Sequence, residues 1–261
     1  DKSKRKAHPP VRLGPLGAKR SETGVEYKYV SLAIDHAART AKLTVRAPQG
    51  KEPETPAELA KAGDQAWIVR AFRELDDALL ELRFNQPLVG VVALEAVGDG
   101  ARVLEVDAML AKHADDGLVT EARLLVRRVL KRLDMTAKSF FALAAPGTCF
   151  WGTLLELALA SDRVYMKDED GVTLHASAMN AGPFPMGNGL SRLQSRFLAE
   201  PERVSRVLET QKPIPTGDAV KLGLVTFAPD DIDWDDEVRI AVEERASMSP
   251  DSMTGMEQNL R

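Results

Sequence analysis

Cysteine, histidine and aromatic residues are all scarce in this sequence. Among 261 residues there is one cysteine, Cys149, and there are four histidines, His8, His36, His113 and His175. A single thiol excludes an intrachain disulfide and any cysteine-based zinc site. The histidines form no HxH or HxxxH pair, so a metal enzyme is not expected. A Ser-His-Asp hydrolase is disfavoured for the same reason, although sequence separation does not exclude one. Aromatics make up 5%, which leaves the core to Leu, Val and Ala. No stretch approaches the roughly 18 uninterrupted apolar residues of a membrane span. The N-terminus is charged, with no apolar signal core. What is present, 44% hydrophobic and 28% charged residues with a net charge of −4, is the balance of a globular, cytoplasmic chain without membrane contact.

Residues 1–24 differ from the rest, with seven basic residues, three prolines and no apolar period. They read as a linker or arm. A short basic tail on an acidic chain is better taken as a connector than as a nucleic-acid-binding arm. Residues 25–228 are expected to form the folded core and 229–261 a helical tail. Within the core, Tyr27–Ile34 and Ala41–Ala47 alternate with period two, as strands of a hairpin do. Ile68, Phe72, Leu75, Leu79 and Leu82 recur at helical spacing, and so do Ala122, Val126, Val129 and Leu133. Leu88–Leu94, Phe140–Ala145 and Arg163–Met166 read as strands, the first two buried on both faces. A Gly-Asp-Gly turn at 98–100 precedes a second short apolar run at Val103, Leu104 and Val106. Strands alternating with helices predict an α/β domain with largely parallel pairing.

The informative unit is strand, Pro146-Gly147 turn, then a nearly all-apolar helix from Gly152 to Ala160. Amides at the start of a helix lack intrahelical partners, and a glycine lets a ligand oxygen approach the backbone. Such a corner can hold a carbonyl oxygen as it becomes an anion, or it can be plain packing.

The order of motifs favours the first reading. Lys138–Gly147, then Gly152, then Glu156–Asp162 resemble the KPxIAAVNGxAxGGGxELAxxCD signature of the crotonase (enoyl-CoA hydratase/isomerase) superfamily. NAGPFP at 180–185 with GLSRL at 189–193 resembles its NLGxxPxxGGxxRL, and PTGDAVKLGLV at 215–225 its ISAxEAxxxGLV. The resemblance covers about residues 85–228. It implies a crotonase-like spiral of stacked ββα turns with a helical C-terminal section, and an acyl-CoA thioester as substrate. It implies two oxyanion amides, which fall on Val106 and Gly152. Of the family's two catalytic glutamates, the first falls on Leu155 without a gap and on Glu156 with a one-residue insertion. That offset turns a side chain by about 100° on a helix, and Glu156 could equally be structural. The second glutamate falls on Ala178, so a simple two-glutamate hydratase is not expected.

A closer resemblance, which includes the tail SPDSMTGMEQNLR, is to ring-opening members of the superfamily roughly twice as long. It implies water-driven opening of the oxidised, dearomatised ring of benzoyl-CoA to a semialdehyde acyl-CoA and formate. No cofactor is needed beyond the CoA that the substrate carries. This chain would be the C-terminal half, preceded by another crotonase-like domain, in a homo-oligomer. Glu257 in the tail would then serve as an acid or base group, as would Glu156; alternatively Glu257 is a solvated helix-start residue. The rival from another class is a non-catalytic crotonase-like module that supports dimerisation and a catalytic partner domain. Cys149 is expected as a buried thiol, and His175 as a structural residue. The acidic run Asp230–Glu237 is read as a solvated loop at a helix start, and Trp234, Met248, Met253 and Met256 as packing.

Overall fold

The protein is described here as a computed structural model that covers residue 8 and residues 10–260, without the side chains of residues 257 and 260. Seven strands form one sheet in chain order. The first four, β1 (Lys19–Ser21), β2 (Gly24–Glu26), β3 (Val30–Asp35) and β4 (Thr40–Arg46), run antiparallel. A Cβ on Gly24 would lie 1.9 Å from the Leu32 carbonyl oxygen, so only glycine lets β2 lie against β3 there. After β4 come helices α1 (Pro56–Ala62) and α2 (Trp67–Phe84), strand β5 (Val91–Val97), then α3 (Gly100–Lys112) and α4 (Gly117–Asp134). Strand β6 (Ser139–Ala144), α5 (Leu155–Leu159) and β7 (Arg163–Met166) complete the sheet, and β4 to β7 pair in parallel.

Period-two alternation decides which residues face the core. Leu43 and Val45, Leu94 and Ala96, and Phe140 and Ala142 point to one side, where the apolar stripes of α2 and α4 cover them. Trp67 fixes the start of α2. Its indole nitrogen donates to the Arg46 carbonyl at 2.8 Å, and its amide to Glu52 at 2.8 Å. Each buried Leu, Ile or Phe in this layer contributes about 1.5–3 kcal/mol. Val91, Phe141 and Tyr165 point to the other side, under helix α9.

Beyond β7 the chain forms a small second sheet, β8 (Thr173–Leu174) with β9 (Ile214–Pro215), and short helices α6 (Arg192–Arg196), α7 (Glu202–Glu209) and α8 (Thr216–Leu222). The tail is helical, α9 (Trp234–Ser247) and α10 (Pro250–Leu260). Met253 anchors α10, buried with its sulfur against Gly90 at the N-terminal end of β5.

Two segments differ from the sequence reading. The basic stretch 1–24 is not wholly a linker. Residues 1–7 and 9 lie outside the described residues, but Lys19–Ser21 is the edge strand of the sheet. Arg70 donates to the carbonyls of Pro15, at 3.1 Å, and Leu16, while Asp64 accepts from the Gly14 amide at 2.6 Å. The Asp64 carboxylate and the Arg70 guanidinium therefore bind this segment through its backbone. The second difference is residues 100–112, which form a continuous helix capped by Asp99 rather than a short run and a turn.

Arg70 also pairs with the fully buried Glu74 at 2.6 Å, and Glu74 accepts the Tyr29 amide at 2.7 Å. Arg70→Met strands that carboxylate. Urea unfolding is expected to show a loss of about 3–5 kcal/mol; a loss below about 1 kcal/mol would mean that the pair is dispensable.

Candidate active site

The corner expected to hold a thioester lies at the C-terminal ends of β5 and β6. Gly152 opens a 3-10 turn (Gly152–Leu154) that runs into α5, with φ at +53°. Its amide donates to the His175 carbonyl at 2.7 Å. Its carbonyl accepts from the Asn180 side chain at 3.1 Å. Val106 lies in the middle of α3, where the amide is spent on the helix's own ladder. The two amides expected to converge on a carbonyl oxygen are thus both engaged, on different partners. Residues 105–107, around the first of those amides, are helical, so their amides are not offered to a ligand.

The space in front of Gly152 holds a side chain of the protein. Asp107, on α3, is 1% exposed. Its Oδ2 accepts from the Thr153 amide at 2.8 Å and from the Ser177 hydroxyl at 2.6 Å, and its Oδ1 meets the Thr153 hydroxyl. A Cβ on Gly152 would lie 2.1 Å from that carboxylate, so glycine is required here by both φ and close approach. Burial pushes the Asp107 carboxyl up to about 7; the Ser177 and Thr153 hydrogen bonds oppose the shift and Glu156 adds to it. Trp151 closes the flank. Its ring lies over Gly100, its indole nitrogen is 3.2 Å from the Thr173 carbonyl oxygen, and it packs on His175.

Glu156 is buried on α5 and fully engaged. Arg192 of α6 donates to it at 2.8 Å and Asn180 at 2.7 Å. The same guanidinium reaches both oxygens of Asp134 at 2.6 and 3.1 Å and the Phe184 carbonyl at 3.1 Å. Burial pushes the Glu156 carboxyl up and Arg192 pulls it down. This is the environment of a structural ion pair. Leu155, the ungapped alternative, is fully buried. Ala178 starts a 3-10 turn (Ala178–Ala181) that Ser177 caps.

Glu257 lies on α10, its side chain outside the described residues. Met253 holds that helix at the N-terminal end of β5. The Gly152 corner lies at the opposite end of the parallel strands, about 20 Å away for strands of this length. Gly152 and Glu156 share the Asn180 side chain, and the Met253 anchor of α10 lies at the other end of the sheet from them. Cys149 is 2% exposed, and burial pushes its thiol up to about 12, away from the thiolate form. His175 is nearly buried, with Nδ1 2.7 Å from the Ala176 carbonyl oxygen. In the acidic run, Asp230 accepts the amides of Ile232 and Asp233, and Asp235, Asp236 and Glu237 occupy the first turn of α9. An open groove of about 580 Å³ lies on another face of α3, between Lys51–Glu54 and Arg102, Glu105 and Met109.

Asp107, Thr153, Ser177, Asn180, Arg192 and Asp134 carry this corner and were not singled out from the sequence. Asn180 and Arg192 do stand inside the matched motifs, so their positions were visible but their shared partner Glu156 was not.

No family model matches the chain. The fold is that of an enoyl-CoA hydratase from Geobacillus kaustophilus, with a TM-score of 0.64 and 16% identity over 90% of this chain and 80% of the other. An enoyl-CoA hydratase/carnitine racemase from Magnetospirillum magneticum gives a TM-score of 0.66 and 15% identity over 91% and 81%. The chain is therefore a crotonase-fold protein. Over 254 residues, 96% of its length, it is 46% identical to a benzoyl-CoA-dihydrodiol lyase of Aromatoleum evansii, of which it spans 46%.

Gly152→Ala is expected to destabilise the chain by about 2–5 kcal/mol, through φ strain and the clash with Asp107. Combined with Asp107→Ala, part of that loss should return as a coupling of at least about 1 kcal/mol in a double-mutant cycle. Strictly additive losses in chemical denaturation would mean that the two residues do not share the space.

Proposed function

We propose that the chain is a crotonase-fold module of a ring-opening acyl-CoA lyase of the benzoyl-CoA-dihydrodiol lyase kind, and that it supports the catalytic site instead of housing one. The observation that carries this is the Asp107 carboxylate. A crotonase-type site needs two free amides aimed at one point, because the thioester oxygen gains charge there and each such donor lowers the barrier by roughly 3–4 kcal/mol. In this chain Gly152 spends its amide on His175 and Val106 spends its amide in a helix. The Asp107 carboxyl group fills the space in front of Gly152. A thioester oxygen entering there would meet a side chain already bound to Thr153 and Ser177 instead of two free donors.

The wider reaction rests on the relative's name and on the motif resemblance. Water opens the oxidised, dearomatised ring of a benzoyl-CoA and leaves a semialdehyde acyl-CoA and formate, with no cofactor beyond the CoA of the substrate. The thioester site would lie in a preceding crotonase-like domain, and this module would hold that domain and a second copy of the enzyme in place. Its ion-paired interior suits a support role, since Glu156 is fixed by Arg192 and Asn180 rather than poised for proton transfer.

Isothermal calorimetry tests the reading. Benzoyl-CoA titrated into the folded chain is expected to give no saturable heat up to about 1 mM, the range of binding weaker than about −4 kcal/mol. A one-to-one binding heat that Thr153→Ala weakens would return the acyl site to this chain and end the support reading.

A further inference from the structure

The charges inside the corner do not balance. Three carboxylates, Asp107, Glu156 and Asp134, are buried within one hydrogen-bonded network. Asp107 joins it through Ser177, whose amide donates to Asn180, which in turn donates to Glu156. The cation in that network is Arg192, and it serves Glu156 and Asp134. Asp107 receives only neutral donors, the Thr153 amide and two hydroxyls.

Among the described residues, nothing else packed against Asp107 supplies a countercharge. From α5 the group facing it is Glu156, which repels it. Arg192 of α6 and Asp134 of α4 stand behind Glu156. His175, on the segment leading to Ser177, turns its ring onto Trp151 and its Nδ1 toward the Ala176 carbonyl. On α3 itself, Arg102, Glu105 and Lys112 line the groove on another face. Ionised, the network holds two more negative charges than it needs for Arg192 to cover one; protonated at Asp107, it holds one fewer.

We infer that Asp107 is a pH-sensitive clamp, which in its protonated form holds α3 to the 152–156 and 177–180 segments and loosens them when it ionises. Three structural elements meet on this one side chain, so its affinity for the closed state sets whether the corner stays shut. The sign follows from linkage. The carboxyl titrates near 7 when closed and near 4 when exposed, so the closed state binds the proton more tightly. Its stabilisation is complete below about pH 4, is lost as pH rises through about 7, and changes no further above that. The open fraction should therefore rise by up to about tenfold per pH unit across that window.

Hydrogen exchange tests this at about pH 5 and about pH 7.5, after correction for intrinsic rates. In the wild type, protection of the 152, 153 and 177–180 amides should fall at least about tenfold on going to the higher pH. Asp107→Asn keeps the shape: its amide oxygen can accept from Thr153 and Ser177 while its NH₂ donates to the Thr153 hydroxyl. In this variant the pH dependence should disappear. An equal pH dependence in both proteins, or none in the wild type, would overturn the clamp. Should the variant fail to fold, a carboxyl-carbon NMR titration of the wild type decides: a midpoint near 7 for Asp107 supports the clamp, and one at or below about 4.5 refutes it.

Discussion

Arg192 is the interaction on which this half of the molecule turns. One guanidinium, 2% exposed, binds Glu156 of α5, Asp134 at the end of α4 and the Phe184 carbonyl. An ion group buried this deeply costs several kcal/mol to desolvate, and only a full set of hydrogen bonds offsets it. The planar fork of Arg makes that possible, since its donors reach two carboxylates and a carbonyl at once. Through these bonds the strand–helix corner at Gly152 is tied to α4 on one side and to the 177–192 segment on the other. Asn180 closes the loop by donating to both Glu156 and the Gly152 carbonyl.

The same network explains why the corner is closed. Gly152 keeps the left-handed backbone that a close approach demands, yet the approaching group is Asp107. The change that brings it there is in α3. A turn at 105–107 would leave amides free; a helix from Gly100 spends them and aims Asp107 at Thr153 and Ser177. Trp151 over Gly100 seals the side that remains. A crotonase fold can thus persist while the Gly152 corner is filled by a side chain of the protein, because the fold depends on strand alternation and helix packing and not on free amides.

Much of the fold was legible. The period-two runs around Leu32 and Leu43 and the helical stripes of Ile68–Leu82 and Ala122–Leu133 each lie in the expected type of element. Even α3 left a trace, since Val103, Val106 and Leu110 are spaced three and four apart and all are buried. The Gly-Asp-Gly turn and the motif match drew the reading toward a loop there. The N-terminal segment was misread because its attachment is made by backbone carbonyls and an amide of Gly14, Pro15 and Leu16, which no side-chain pattern records.

The α/β class, the crotonase-like order of motifs and the helical tail follow from the residue order alone, because period and punctuation are local properties of the chain. Which carboxylate meets which donor follows from the packing of distant segments. Asp107 and Ser177 are 70 residues apart, and Arg192 and Asp134 are 58 apart. Pairings at that separation depend on how helices turn and dock, and a rotation of one residue would have pointed Asp107 elsewhere on α3.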